Sequence, residues 1–216
     1  LPSSAQFYGV DEDRKLYSDH LFQGGGQGAS AAGDGKSALL YPTSAANTSV
    51  EMFEARVPAL VLRKELVIDS GGAGKFRGGL GQVVSARKLK GDKNSCQIGI
   101  FPNGIHSEVE GLFGGKSGGY SRGIIHRADD VQHDVGTGEL TAIQEMTEVA
   151  ELYIAGGSGY GDPLTRDYEY VQNDLIQGYI SYECAERVYG CIFKEDGTID
   201  IVASETLRKS MKDVAS

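Results

Sequence analysis

The sequence predicts an α+β fold: a β-rich body organised by glycine loops, residues 1–162, followed by a small helical tail, residues 163–216. Three observations carry that reading. The 31 glycines among 216 residues fall in short clusters between apolar runs, well above the usual share of about 7% and without the strict period of collagen. The runs at 59–68 (ALVLRKELVI) and 149–155 (VAELYIA) are β-branched or alternating. Past Pro163 the spacing of apolar residues turns helical.

In chain order, residues up to about 49 mix short apolar pieces with Gly/Ser/Ala-rich loops, and LYSDHLF at 16–22 reads as a strand. VEMFEARV at 50–57 predicts a short helix, because Val50, Phe53 and Val57 share a face and Ser49 can cap it. Pro58 stops it, and 59–68 follows as a strand. GQVVSARKL at 81–89, NSCQIGIF at 94–101 and GIIHR at 123–127 are further strands, the last two separated by a long glycine-rich connection. In 149–155, Val149, Glu151 and Tyr153 face one side, and Ala150, Leu152 and Ile154 the other. In the tail, Tyr168, Val171 and Leu175 lie at helical spacing with Gly178 as a C-terminal stop. Ser181 caps a second helix, EDGT forms a turn, and an amphipathic segment begins near Asp200.

The formal net charge of −9 argues against a nucleic-acid partner, which needs a concentrated basic surface. The basic run RKLKGDK at 87–93 reads as a solvated strand end and turn. No apolar run approaches the roughly 20 residues of a membrane span, and no signal peptide is visible. The chain opens on Leu1, which is expected of a processed chain or of a piece of something longer. Cys96, Cys184 and Cys191 show no metal-type spacing, and three sparse thiols suggest a reduced, cytoplasmic setting. His20, His106, His126 and His133 are scattered, with no acidic or thiol partner at helical ligand spacing, so no metal ligand is assigned.

Three Gly-Lys steps, at 35–36, 74–75 and 115–116, invite comparison with a phosphate-binding loop. That loop needs a first glycine five residues before the second, and a hydroxyl after the lysine. The corresponding first positions are Ser30, Asp69 and Glu110, and Lys75 is followed by Phe76. None of the three qualifies, and no cluster fits a dinucleotide fingerprint between strand and helix. SGGAGKFRGGLG at 70–81 therefore reads as an irregular crossover with Lys75 and Arg77 outside and Phe76 inward, or as a loop that sets its amides and Arg77 against an anionic ligand. GGGQGASAAGDG at 24–35 poses the same choice, with Asp34 as a turn former or as a single acid. The ligand-binding candidates are Gly24, Gly25, Gly26, Asp34, Lys75 and Arg77; no catalytic residue is defined by spacing.

These blocks resemble the hydantoinase B/oxoprolinase family. ELVIDSGGAGKFRGGLGQVV is similar to its signature run, and GGGQGASAAGDGKSALL to its upstream Gly-Gly-Gly and Asp-Gly loop. TSAANTSVEMFEARVP, GLFGGKSGG, AGGSGYGDPLTRD and the tail's GYISYECAERVYG match further blocks in the same order. The resemblance implies the C-terminal portion of a subunit of an ATP-dependent enzyme acting on cyclic amides: hydantoin (including N-methylhydantoin), 5-oxoproline or lactam hydrolysis. It equally suits part of an acetone- or acetophenone-type carboxylase, and a non-catalytic assembly module is a third reading. In the family an A-type subunit binds ATP and phosphorylates the substrate oxygen, and the B-type component completes hydrolysis or carboxylation. The resemblance thus implies ATP and a divalent metal (Mg, Mn or Zn) in a hetero-oligomeric complex, with none bound by this chain itself. The expected partners are the A-type subunit and the N-terminal part of the B-type subunit, which carries the family's metal-ligand motifs and has no counterpart here.

Overall fold

The computed structural model describes residues 3–11, 13–40, 45–89, 96–101, 104–136 and 138–215. Among the described residues, nine strands form two antiparallel sheets that face one another across an apolar core. The first sheet has the order β2-β1-β5-β8, with β1 Ser3–Val10, β2 Leu16–Gln23, β5 Cys96–Phe101 and β8 Leu140–Ile143. The second has the order β3-β4-β9-β6-β7, with β3 Ala59–Leu66, β4 Gln82–Lys88, β6 Arg122–His126, β7 Gln132–Val135 and β9 Val149–Ile154.

Alternation decides which side chains enter that core. Phe7, Leu21, Ile98, Ile100 and Ile143 point in from the first sheet, and Val84, Ala86, Ile125, Ala150, Leu152 and Ile154 from the second. Helix α1 (Val50–Glu54) plugs one end: Ser49 accepts a hydrogen bond from the Met52 amide, and buried Phe53 meets Phe7 edge-on at 5.1 Å. Arg127, just past β6, ties the second sheet to the first. Its guanidinium donates to the Ala142 carbonyl (2.6 Å) and Thr141 Oγ1 (2.8 Å) on β8, and Glu148 lies 3.3 Å away.

The strands expected at 16–22, 59–68, 81–89, 123–127 and 149–155 are present, and so is the Ser49-capped helix. Of the strand expected at 94–101, Asn94 and Ser95 lie outside the described residues, as do residues 90–93 of the basic run. Within that run, Lys88 is not solvated: it is 4% exposed and points inward from β4, with its Nζ 3.4 Å from the Gln144 carbonyl. Strands β1, β7 and β8 were not expected. In β1 (SSAQFYGV) Ala5 and Phe7 are the buried apolar residues, so half the strand is polar and its signal is weak.

Past Pro163 come a 3-10 turn (Pro163–Thr165), α2 (Tyr168–Ile176), α3 (Tyr182–Arg187) and α4 (Ile201–Ala215). Gly178 follows α2 with φ +69°, the left-handed conformation in which glycine commonly ends a helix. Ser181 caps α3 by accepting from the Cys184 amide. Val171, Ile180, Ala185, Tyr189, Cys191 and Ile199 make a second apolar cluster, to which the residues before 163 contribute Ala73. Helix α4 is anchored by Arg208, which donates to the Tyr189 carbonyl (2.8 Å) and the Arg166 carbonyl (2.9 Å) and lies 4.0 Å over the Tyr168 ring.

Candidate functional site

Four glycine-rich segments leave the ends of the strands and bond to one another rather than to the sheets. Their hydrogen bonds interlock: Gly26 N–H donates to Ala155 O (3.0 Å), Gly79 to Gln27 O, Gly157 to Gly79 O and Gly72 to Gly157 O (2.8 Å each). Lys116 N–H donates to Ala73 O (2.7 Å), Gly159 to Lys116 O (2.8 Å), and Phe76 and Tyr160 exchange a pair of bonds. The glycines here serve close approach. A Cβ on Gly26 would collide with the Gly79 carbonyl, and one on Gly157 with the Gln27 carbonyl, yet neither residue has positive φ. Backbones packed this tightly leave no space for any side chain.

Side chains set the layer in register with the sandwich. Asn47 Oδ1 accepts from the Gly24 amide (2.9 Å) and from Gln82 Nε2 (2.9 Å), while Asn47 Nδ2 donates to Ala38 O (2.8 Å). Gln82 Nε2 also reaches the Gly24 carbonyl (2.8 Å). Ser70 Oγ accepts from the Gly81 amide and Ser37 Oγ from the Leu80 amide.

Beneath the layer lies a cluster of two arginines and two aspartates. Arg166, 0% exposed, forks onto Asp34 with both nitrogens at 2.8 Å and onto Asp174 at 2.7 Å, and it donates to the Lys75 carbonyl at 3.0 Å. Arg77 binds the opposite side of Asp174 through Nε and Nη2, both at 3.2 Å, and donates to Gly78 O at 2.6 Å. The Arg77 amide donates to Asp34 Oδ1 at 2.7 Å. Burial by itself would raise the Asp34 carboxyl. The Arg166 hydrogen bonds and charge, with the Arg77 amide, outweigh it and hold the carboxyl below its ordinary range. Burial likewise opposes the Arg166 charge, but Asp34 and Asp174 more than compensate and keep it protonated.

On the side of the layer facing the 104–121 connection is a cleft of about 210 Å³. Gly25, Gly26, Gly28, Ser107, Ser121 and Ser158 are among its lining residues. Ser121 is buried, and its Oγ accepts from the Ala155 amide (3.0 Å). Among the described residues, the amides of Gly28, Gly118 and Ser158 have no hydrogen-bond partner, and Gly118 and Ser158 also line this cleft.

The six sequence candidates therefore separate. Gly25 and Gly26 line the cleft, and Gly24 is held by Asn47 and Gln82. Asp34 and Arg77 are drawn into the ion cluster, with the Lys75 carbonyl at its edge and the Lys75 side chain exposed. Arg77 does not lie outside as expected: it is 4% exposed, because Asp174 on α2 neutralises it from within. Sequence reasoning missed Arg166, Asp174 and Asn47. A signal for Asp174 existed, since it sits three residues after Val171 on the apolar face of α2, where an acid is costly without a partner.

Among the described residues, most amides of the Gly-Lys steps are bonded within the layer. The amides of Gly35, Lys75, Gly115 and Lys116, at the three Gly-Lys steps, donate to Arg77 O, Gly161 O, Leu112 O and Ala73 O. Among the described residues no three His, Cys, Asp or Glu side chains gather as a metal site. His126 and His133 instead each face a glutamate, Glu151 at 3.0 Å and Glu139 at 2.8 Å.

A two-sheet sandwich whose strand ends feed an interlocked glycine layer, with an ion cluster below and an amide-lined cleft beside it, defines a component that shapes a site from backbone. Residues 2–163 match the Hydantoinase B/oxoprolinase family, and the chain belongs to it. Caprolactamase subunit beta of Pseudomonas jessenii is 31% identical over 162 residues, covering 74% of this chain and 27% of that one. The nucleotide-free structure of acetone carboxylase superposes with a TM-score of 0.80 at 22% identity, over 99% of this chain and 33% of the other. The crystal structure of the ATP-dependent caprolactamase from Pseudomonas jessenii gives 0.77 at 25% identity, over 95% and 37%. The chain thus spans 27–37% of the length of these relatives.

Proposed function

We propose that this chain is the C-terminal portion of the B-type subunit of an ATP-dependent enzyme that hydrolyses cyclic amides, with an A-type partner handling the nucleotide. The carrying observation is the glycine layer: at its Gly-Lys steps the amides of Gly35, Lys75, Gly115 and Lys116 already donate to carbonyls of the layer, which favours a nucleotide site on another polypeptide. The amide substrate in this reading is taken from the 31% identical caprolactamase subunit. In this reading the cleft beside Gly25, Gly26 and Ser121 faces the small molecule and offers amide hydrogens to its oxygen. Asp34 and Arg77 support the layer from below, and Gly24 and Lys75 flank it. The metal is held by the N-terminal part of the subunit, and residues 163–216 form a helical unit docked on the β body. Among the described residues no helix is long and apolar enough to cross a membrane, and the reduced cysteines suit a cytoplasmic complex.

The test is turnover of caprolactam, hydantoin and 5-oxoproline by the subunit containing this chain, assayed with an A-type partner and ATP. Lactam opening coupled to ADP release is expected. Bicarbonate-dependent turnover of acetone or acetophenone would assign it to the carboxylases instead. A tight complex without any turnover would make it an assembly module.

A further inference from the structure

Gln23 closes β2 where the strand runs into the first glycine segment, and its position two residues after Leu21 turns it to the same inward face. The residue is 0% exposed, and neither its amide oxygen nor its amide nitrogen has a hydrogen-bond partner. It lines a void of about 10 Å³ between the two sheets, walled by Ala5, Leu21, Val84, Ile100 and Leu152. The groups on the next residue are taken: the Gly24 carbonyl by Gln82, and the Gly24 amide by Asn47.

A purely apolar void stays dry; this one is apolar except for the Gln23 amide, which supplies two polar partners, and its volume is about the least that holds one water. A primary amide offers a donor and an acceptor together, and one water answers both by accepting from Nε2 and donating to Oε1. An ion has no such fit. The Glu151 carboxylate, whose residue borders the void, is turned to His126 and Arg63 on the outer face. We propose that a single internal water molecule is bound to the Gln23 amide between the sheets, at the seam where the core meets the glycine layer.

A crystal structure at a resolution that shows ordered water tests this directly. A density peak within hydrogen-bond distance of both Gln23 amide atoms is expected; an empty void, or an amide turned onto a protein atom, overturns the proposal. Oxygen-17 relaxation dispersion gives a solution readout: Gln23→Leu should lose one long-lived water with an unchanged or higher Tm. A folded Gln23→Leu that retains the full count of long-lived waters overturns it as well. Should that variant not fold, Gln23→Met serves in the same measurement, and the wild-type density decides alone.

Discussion

Arg166 shows what a buried charge does in this protein. Its guanidinium joins Asp34, 132 positions away in sequence, to Asp174, and so fastens the last quarter of the chain to the first glycine segment. Removing it would leave the partly exposed Asp34 without its cation and Asp174 with Arg77 alone; since the Arg166 side chain is fully buried, the loss should exceed the roughly 0–1 kcal/mol of a surface ion pair. Arg166→Ala is therefore expected to lower the denaturation midpoint sharply, as read by chemical unfolding. Arg77→Ala should cost less, since Arg166 still neutralises Asp174. The cluster also sets an acid limit. The folded Asp34 carboxyl sits below its unfolded value of 3.8, so its contribution is complete above about pH 4 and disappears as pH falls through the lower, folded value. Melting curves should accordingly lose stability more steeply below about pH 4 in wild type than in Asp34→Asn. Asp34 and Arg77 stood out in sequence as charges within glycine clusters. Their partners did not, because nothing local links position 34 to 166 or 77 to 174.

At the scale of elements, strand and glycine segment follow different rules. The strands obey alternation, which is why β4 and β9 were readable from residue order, while the short β7 and β8 needed their neighbours to pair. The glycine segments have no period at all, and positions such as Gly26 and Gly157 are decided by which backbone crosses them. Gly26→Ala should therefore prevent correct folding, because its methyl would enter the Gly79 carbonyl. Gly33→Ala, in the same segment, has open space around it and no positive φ, and should melt within about 1 kcal/mol of wild type. Comparing soluble yield and Tm for the two variants checks the claim. Equal behaviour would mean that the segments are not interlocked as described. The Asn47–Thr48–Ser49 stretch has an equally local explanation: Asn47 holds Gly24, Thr48 holds Phe22, and Ser49 caps α1.

For the whole molecule, the two apolar clusters and the ion cluster between them determine how the parts depend on one another. Residues 163–216 supply Asp174, the carboxylate that pairs the Arg77 side chain, and Arg166, which pairs Asp34. A chain ended after Asp162 is thus expected to lose cooperative unfolding and to aggregate, even though the apolar core between the sheets involves none of the removed residues. Size-exclusion chromatography and calorimetry of the truncated chain check this. A monomer with an unchanged transition would show that the body is self-sufficient. The same architecture draws the cleft beside the layer from backbone amides and serine hydroxyls.

Residue order by itself determined the strands with strong alternation, the capped helices, the glycine clusters and the family, because each is a local pattern repeated within a few residues. Tertiary structure alone decided that glycines such as Gly26 and Gly157 serve close approach rather than turns, that Arg77 points inward, and that Gln23 lies unpaired in the core. Those are properties of pairs of segments far apart in the chain. Contact between two backbones, or between a charge and its counter-charge, exists only once folding has brought them to the same place.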